Sequence, residues 1–437
     1  MFEKTLDISR FLLAVSSINS LADPVLSNHN YRVAYISFLL ARKLTYNNQF
    51  LSNVIVAGLL HDIGLLLSST RDLMLVKNPE ESEDGGRIHL HSEIGYRLLK
   101  NFPLFSRVAQ AIRYHHLPFR DFVNLRRDPP YASQVLHVAD RIDVFMSSRL
   151  EGKEPYSSYP ELLGELEDYL LRSALKHLDP RLVRLFLKEI APKEAFWFEL
   201  FNESCLKESL ERFLSGYSMK LPFEAFFNLS QILAYLIDFK SPFTATHSSG
   251  VAQTAVSLAS LLSFTSPDLK KMKVAGLLHD IGKVAIPVDI VEKPGKLTGK
   301  ERNLMKAHVY YTYKIISRLE LERNILEWAS FHHETLDGKG YPFKLRAKEL
   351  PLGSRIMAVA DIFTALMEDR PYKKGLSLRE AVRVLDSLAD ASKLDKRIVR
   401  LLKDNLKRIE TGRRTAQEKA QKLYDSLREF ESSFKSA

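Results

Sequence analysis

The sequence predicts an all-α protein: two homologous helical domains in tandem, followed by a helical tail. Three observations lead there. Apolar residues recur at three-and-four spacing over Leu258–Ser263, Val274–Leu278 and Arg379–Leu388, and no stretch alternates strictly enough for a half-buried strand. The octapeptide AGLLHDIG stands at Ala57–Gly64 and again at Ala275–Gly282, 218 positions on. Ten of the 13 histidines fall into two registered sets of five. His29 and His247 lie 218 apart, as do the pairs His61–Asp62 and His279–Asp280. His91 and His308 are 217 apart, as are His115–His116 and His332–His333, and Asp140 and Asp361 complete the sets 221 apart.

Along the chain, the first domain is read over residues 1–205 and the second over 226–405. The flanking text agrees in order: SNHNYRVAYISFLLARKL resembles ATHSSGVAQTAVSLASLL, VLHVADRID resembles IMAVADIFT, and HLDPRLVRLFL parallels KLDKRIVRLLK. Residues 206–225 read as a linker with a short helix, broken around Gly216 and Pro222. Pro287, Pro294, Gly295 and Gly299 mark a loop inside the second domain. The tail, 406–437, carries Leu423, Leu427, Phe430 and Phe434 on one helical face. That stripe is narrow and flanked by both charge signs, which favours a packing helix over a membrane anchor. A second use of the same stripe is pairing with another copy of the chain as a homodimer.

Composition narrows the chemistry. With 45% hydrophobic and 27% charged residues over 437 positions, each domain can bury a core of its own. No apolar run approaches the ~18 residues of a membrane span and the N-terminus lacks a signal-peptide pattern, so the expectation is a cytoplasmic protein. Cys205 is the only cysteine, which excludes an intrachain disulfide and thiolate metal sites. The formal charge of +10 favours anionic partners such as nucleotides, but no zinc-finger spacing or RNP-like aromatic string accompanies it.

A single histidine on an apolar helix is usually structural; two registered sets change that weighting. Five imidazoles and two carboxylates suit Mn, Fe and similar divalent ions and are too many for one ion, so a two-metal site is implied. In VAGLLHDIG the His and Asp end an apolar helix and are held by a rigid element. A carboxylate can bridge two ions through its two oxygens, which makes Asp280 the natural bridge. Neighbouring His332 and His333 diverge by ~100° on a helix and can meet one ion only near a helix end. Two ions ~3.5–4 Å apart acidify a shared water and stabilise charge on a phosphoryl group, so the implied reaction is phosphoester hydrolysis.

The residues then resemble a known family. H…HD…D is the pattern of the HD superfamily of metal-dependent phosphohydrolases, and HDIGK, HHETLDGKGYP and VADIFTALMEDRPYKKG resemble its HD-GYP subgroup, which hydrolyses cyclic di-GMP. The likeness is close over residues 237–402. It implies that His247, His279, Asp280 and Asp361 hold one ion and that Asp280, His308, His332 and His333 hold the other. It also implies that Lys283 contacts the scissile phosphate, that Arg370 and Lys373 bind phosphate oxygens, and that Gly338, Gly340, Tyr341 and Pro342 shape the pocket and meet a signalling partner. Phe243 stands where some relatives carry a third-metal glutamate, so two ions are expected there, iron or manganese. Val309 and Thr312 depart from the pattern at positions that touch backbone geometry.

The first domain keeps His29, His61, Asp62, His91, His115, His116 and Asp140. His89 competes with His91, but only His91 repeats the 24-residue gap to the histidine pair. Leu65 replaces the lysine, HHLPF runs on without a GYP segment, and the gap from His116 to Asp140 is 24 residues against 28 in the second domain. The expectation is one or two further ions in a sensing, regulatory or dimer-supporting domain; His137 and His177 are read as structural. For the whole chain the reading is hydrolysis of cyclic di-GMP, with linear pGpG or GMP as the end product, by attack of a metal-bound hydroxide with Asp280 as bridge and Lys283 as electrostatic stabiliser. The alternatives are a phosphohydrolase of another nucleotide or cyclic dinucleotide, and a non-catalytic module that binds cyclic di-GMP or a partner.

Overall fold

The computed structural model describes residues 6, 7, 10, 18, 28–45, 47–67, 85–125, 129–216, 220–221, 223–238, 245–369 and 374–435. Its regular structure is helical apart from one pair of two-residue strands, Leu6–Asp7 and Lys220–Leu221. The chain divides into two compact units. One comprises Asp7–Lys220 and Phe430–Ala437, the other Met1–Leu6 and Leu221–Glu429; they are called the N-terminal and C-terminal units below.

Within the N-terminal unit the helices His29–Leu44, Asn48–Leu60, Gly85–Leu99, Ser106–Arg113 and Ala132–Leu150 carry the registered histidines and aspartates or lead directly into them. The C-terminal unit repeats the order with His247–Ser260, Ser266–Leu278, Gly299–Arg318, Arg323–Ser330 and Leu352–Met367. Starts are set by side-chain caps: Asn47 accepts from the Phe50 N–H, Thr265 from the Asp268 N–H, and Thr298 forms a capping box with Glu301. Gly299, expected in a loop, is therefore the first residue of a helix.

The repeated octapeptide has a packing reason. A Cβ on Gly58 would stand 2.6 Å from the Ala34 Cα, and one on Gly276 would stand 2.5 Å from the equivalent Ala252 Cα. Only glycine lets these helix pairs cross so closely. After the helix, His61 and His279 share the same C-cap conformation, φ −57° and ψ −34°, and a tight turn follows over Ile63–Leu67 or Ile281–Ala285. There a Cβ on Gly64 would meet the His91 carbonyl oxygen at 2.1 Å, and one on Gly282 the His308 carbonyl oxygen at 2.0 Å. The two glycines thus press the HD turn against the helices that carry the first and third histidines.

Two stretches lie outside the duplicated ligand-bearing helices. Residues 206–225 were read as a linker with a short helix; the helix is there, over Glu203–Gly216, but it belongs to the N-terminal unit, with Leu206, Leu210 and Leu214 buried. Leucines four apart make one continuous stripe, and burying it holds the segment as packed structure. The tail forms one helix, Leu406–Lys435, that buries Ile409, Ala420, Tyr424 and Leu427; Leu423 and Phe430 are half-buried, and the Phe434 side chain lies outside the described residues. No helix among the described residues is long and apolar enough to cross a membrane.

Candidate metal centres

In the C-terminal unit the seven expected residues converge. His247 Nε2 lies 3.3 Å from Asp361 Oδ1 and 3.7 Å from Asp280 Oδ2, and His279 Nε2 lies 3.3 Å from the same Asp280 oxygen. The other Asp280 oxygen, Oδ1, faces His308 Nε2 at 3.3 Å and His332 Nε2 at 4.0 Å. His333 Nδ1 is 3.9 Å from Asp361 Oδ2. Ligands about 2.1 Å from one ion are about 3–3.4 Å from each other, so three of these six separations are those of a coordination shell and the other three are up to 4.0 Å. The carboxylate of Asp280 is divided between two groups of imidazoles, as a bridge requires.

Local structure decides which ring nitrogen faces inward. The Nδ1–H groups of His279, His308 and His332 donate to the carbonyls of Gly276, Met305 and Ala329, each three residues earlier, at 2.8, 2.6 and 2.7 Å. That leaves their Nε2 atoms facing the cluster, buried and without a hydrogen-bond partner among the described residues. Orphaned buried acceptors are costly unless a cation pairs with them, so this donor set fits divalent metal ions. Burial holds the His332 imidazole well below its usual range and, despite the Asp361 carboxylate, brings His333 down to about 4, leaving both rings neutral at pH 7. Burial also works against charge on Asp280, but His279 and Lys283 hold that carboxyl far below its usual range. Burial opposes charge on His247 too, yet Glu368 and Asp361 raise it to about 10.

The N-terminal unit repeats this arrangement. Asp62 Oδ2 faces His61 Nε2 at 3.3 Å and His29 Nε2 at 3.5 Å, while its Oδ1 faces His91 Nε2 at 3.4 Å. His29 Nε2 is 3.3 Å from Asp140 Oδ1, and His91 Nε2 is 3.4 and 3.2 Å from the Nε2 atoms of His115 and His116. His61 and His115 again donate from Nδ1 to the carbonyl three residues back, Gly58 at 2.8 Å and Ile112 at 2.6 Å. His91 joins the cluster, whereas His89 is half-buried and its ring stands 6.4 Å from that of His116. His137 is buried 6.1 Å from the His116 ring, and His177 is half-buried in the same unit.

The two centres differ in what surrounds them. Lys283 Nζ is 2.5 Å from Asp280 Oδ2 and its side chain is 22% exposed, whereas Leu65 in the equivalent place is buried. A cation does reach the N-terminal cluster from a residue no motif pointed to. Arg141, next to Asp140 and buried, donates from Nη2 to Asp140 Oδ2 at 2.5 Å. His333 is 28% exposed at its side chain, whereas His116 is 1% exposed, so among the described residues the C-terminal centre has the more open edge.

That edge is bordered by the GYP loop. Tyr341 stacks on the His333 ring at 4.9 Å, and its N–H donates to the His333 carbonyl at 3.2 Å. Glu334 accepts the Phe343 N–H at 2.7 Å and the Leu345 N–H at 3.1 Å, which ties the loop to the histidine pair. Gly338, Gly340 and Pro342 lie in the same loop, and the Gly340 carbonyl accepts from Lys344 Nζ at 2.7 Å. Thr312, where glycine was expected, accepts the Gly282 N–H at 3.0 Å and donates to the His279 carbonyl at 2.9 Å. Val309 is buried. Arg370, Lys373 and Phe243 lie outside the described residues.

Sequence reasoning missed the carboxylates behind the first histidine of each set. His29 Nδ1–H donates to Asp143 Oδ2 at 2.7 Å, and His247 Nδ1–H donates to Glu368 Oε2 at 2.7 Å. They occupy different registers, three residues after Asp140 and seven after Asp361, so the internal repeat could not flag them.

Comparison with known proteins agrees with the geometry. HD-domain profiles match residues 26–144 and 231–398. The 3'3'-cGAMP-specific phosphodiesterase 1 of Vibrio cholerae serotype O1 is 31% identical over 386 residues, covering 85% of each chain. A cyclic di-GMP phosphodiesterase of Pseudomonas aeruginosa is 39% identical over 142 residues, 32% of this chain and 34% of that one. The crystal structure of a cyclic GMP-AMP specific phosphodiesterase from V. cholerae, V-cGAP3, has the same fold, with a TM-score of 0.62 at 20% identity over 92% of this chain and 98% of that one. A likeness that holds through both halves, including the motif-poor first one, is more than a shared ligand pattern: the chain belongs to the HD-GYP family of metal-dependent HD-domain phosphodiesterases.

Proposed function

We propose that the C-terminal unit hydrolyses a cyclic dinucleotide, cyclic di-GMP, to linear pGpG and then GMP. The observation that carries this reading is the division of Asp280 between two groups of imidazole nitrogens beside a half-buried lysine. In it His247, His279, Asp280 and Asp361 hold one divalent ion and Asp280, His308, His332 and His333 a second, with iron or manganese suited to an imidazole and carboxylate set. Such a pair of ions, when bound, acidifies water and neutralises charge on a phosphoryl group. The chain's own part is to fix the spacing through Asp280 and to offer the Lys283 ammonium to a phosphate oxygen at the open edge. Arg370 and Lys373 take further phosphate oxygens, and Gly338, Gly340, Tyr341 and Pro342 border the pocket and meet a signalling partner.

The N-terminal cluster, closed and lacking the lysine, holds one or two ions through His29, His61, Asp62, His91, His115, His116 and Asp140 and serves sensing, regulation or dimer formation. A second substrate reading has a specific support. The relative that spans 85% of the chain is named for 3'3'-cGAMP, which makes the mixed dinucleotide the competing substrate.

The test is turnover of cyclic di-GMP and 3'3'-cGAMP by anaerobically purified protein loaded with Mn(II) or Fe(II). Cyclic di-GMP should be hydrolysed; His332→Ala should lose metal and activity, and Lys283→Met should lower kcat about 100-fold with metal content unchanged. Turnover of 3'3'-cGAMP alone moves the assignment to the second substrate. No turnover of either by fully loaded protein overturns both.

A further inference from the structure

The two centres of this chain solve one problem with different parts. The first histidine of each set must present Nε2 to the cluster, and in each a carboxylate on Nδ1 fixes the ring. In the N-terminal unit that carboxylate is Asp143, inside the helix Ala132–Leu150. It is clamped by Arg32, one turn after His29, with Nε at 2.5 Å and Nη2 at 3.0 Å from its two oxygens. In the C-terminal unit both parts are gone from their registered places: Thr364 stands for Asp143 and Gly250 for Arg32.

Glu368 replaces the carboxylate from just beyond the end of the helix Leu352–Met367, on a side chain with one more torsion than aspartate. Such a group orients a ligand only if its own freedom is removed. The space left by Gly250 is filled from the tail helix: a Cβ there would stand 2.8 Å from Gln417 Nε2. That amide donates to Glu368 Oε1 at 2.5 Å and points to the Thr246 carbonyl at 3.4 Å. Its own oxygen accepts from Arg413, a buried guanidinium paired with Glu410 at 2.8 Å. A continuous chain thus runs from His247 through Glu368, Gln417 and Arg413 to Glu410, and its last three members lie beyond the matched HD domain, which ends at 398.

We infer that Gln417 is a positioning residue for the metal ligand His247, and that the tail helix is a working part of the C-terminal centre. The inference rests on the metal reading of that centre. Gln417 does for Glu368 what Arg32 does for Asp143, and it does so from a separate element. Ion affinity at His247 is thereby linked to the seating of the tail helix, a coupling the N-terminal centre does not have because its clamp sits on the ligand's own helix.

The experiment measures Mn(II) affinity of the full chain by chelator competition, alongside thermal unfolding of the metal-free protein. Gln417→Met keeps the side-chain length without the amide and should weaken one of the C-terminal ions about tenfold or more. The metal-free unfolding temperature should not move in step. Gly250→Arg combined with Gln417→Ala rebuilds the Arg32 arrangement and should restore affinity. Mn(II) affinity within twofold of wild type in Gln417→Met, or a loss that only follows falling apo stability, or no recovery in the double variant, overturns the inference. Wild-type protein that binds no Mn(II) through the C-terminal histidines overturns the metal reading first, and this inference with it.

Discussion

Gly282 does no chemistry, yet the site depends on it as much as on any ligand. Its missing Cβ leaves room for the His308 carbonyl, so the HD turn can press onto the helix that carries the third histidine. Gly282→Ala is expected to cost the C-terminal unit about 3 kcal/mol, because the contact is with backbone that cannot step aside. Gly299→Ala, where a Cβ would meet nothing within 4 Å, is the control. Scanning calorimetry that shows equal effects for the two variants would remove the packing explanation of the repeated octapeptide. The clustered residues themselves were legible, since histidine and aspartate repeated in register have few other uses. Glu368, Asp143 and Arg141 were not, because a carboxylate or guanidinium behind a ligand can come from any nearby backbone position, and these two units chose different ones.

At the scale of the element, much of the metal chemistry is helix geometry. Five histidines donate to the carbonyl three residues earlier, which settles their tautomer without any tertiary partner. Helix starts are equally local. Asp395 caps Lys396–Asp404 by accepting the Arg397 N–H at 3.0 Å, and Arg355 Nη1 lies 3.1 Å from its other oxygen. Partial burial pushes this carboxyl upward, but Arg397 and Arg355 outweigh it and hold it below the ordinary range. A depressed folded-state value stabilises the protein above the unfolded carboxyl pKa, about 4, and that contribution is lost as pH falls through the folded value. Asp395→Asn keeps a capping side chain and removes the charge. It should cost about 1 kcal/mol at pH 7, with the difference from wild type shrinking below pH 4 in urea titrations. A difference independent of pH would mean the charge contributes nothing. The helix Glu203–Gly216 shows where local reading stops, since its leucines are a stripe only if something is there to cover them.

For the molecule as a whole, two copies of one histidine and aspartate set have become two kinds of cluster. In the N-terminal unit all seven cluster residues are buried; in the C-terminal unit His333 and Lys283 stay partly open. Metal loaded into the chain is expected to leave in two phases under a chelator, the slow phase disappearing in His61→Ala and the fast phase in His279→Ala. A single phase, or the reverse assignment, would show that burial does not govern exchange. Residue types and their spacing already established the helical class, the duplication, the two registered histidine and aspartate sets and the absence of lysine from the first, because chemistry restricts residue type and periodicity restricts local structure. Only the tertiary structure decided which site is open, that Arg141 enters the first, and that a glutamine 170 positions from His247 steadies it in the second. The physical reason is that a hydrogen bond between distant segments leaves no spacing rule in the chain; it exists only once packing has brought the partners within about 3 Å.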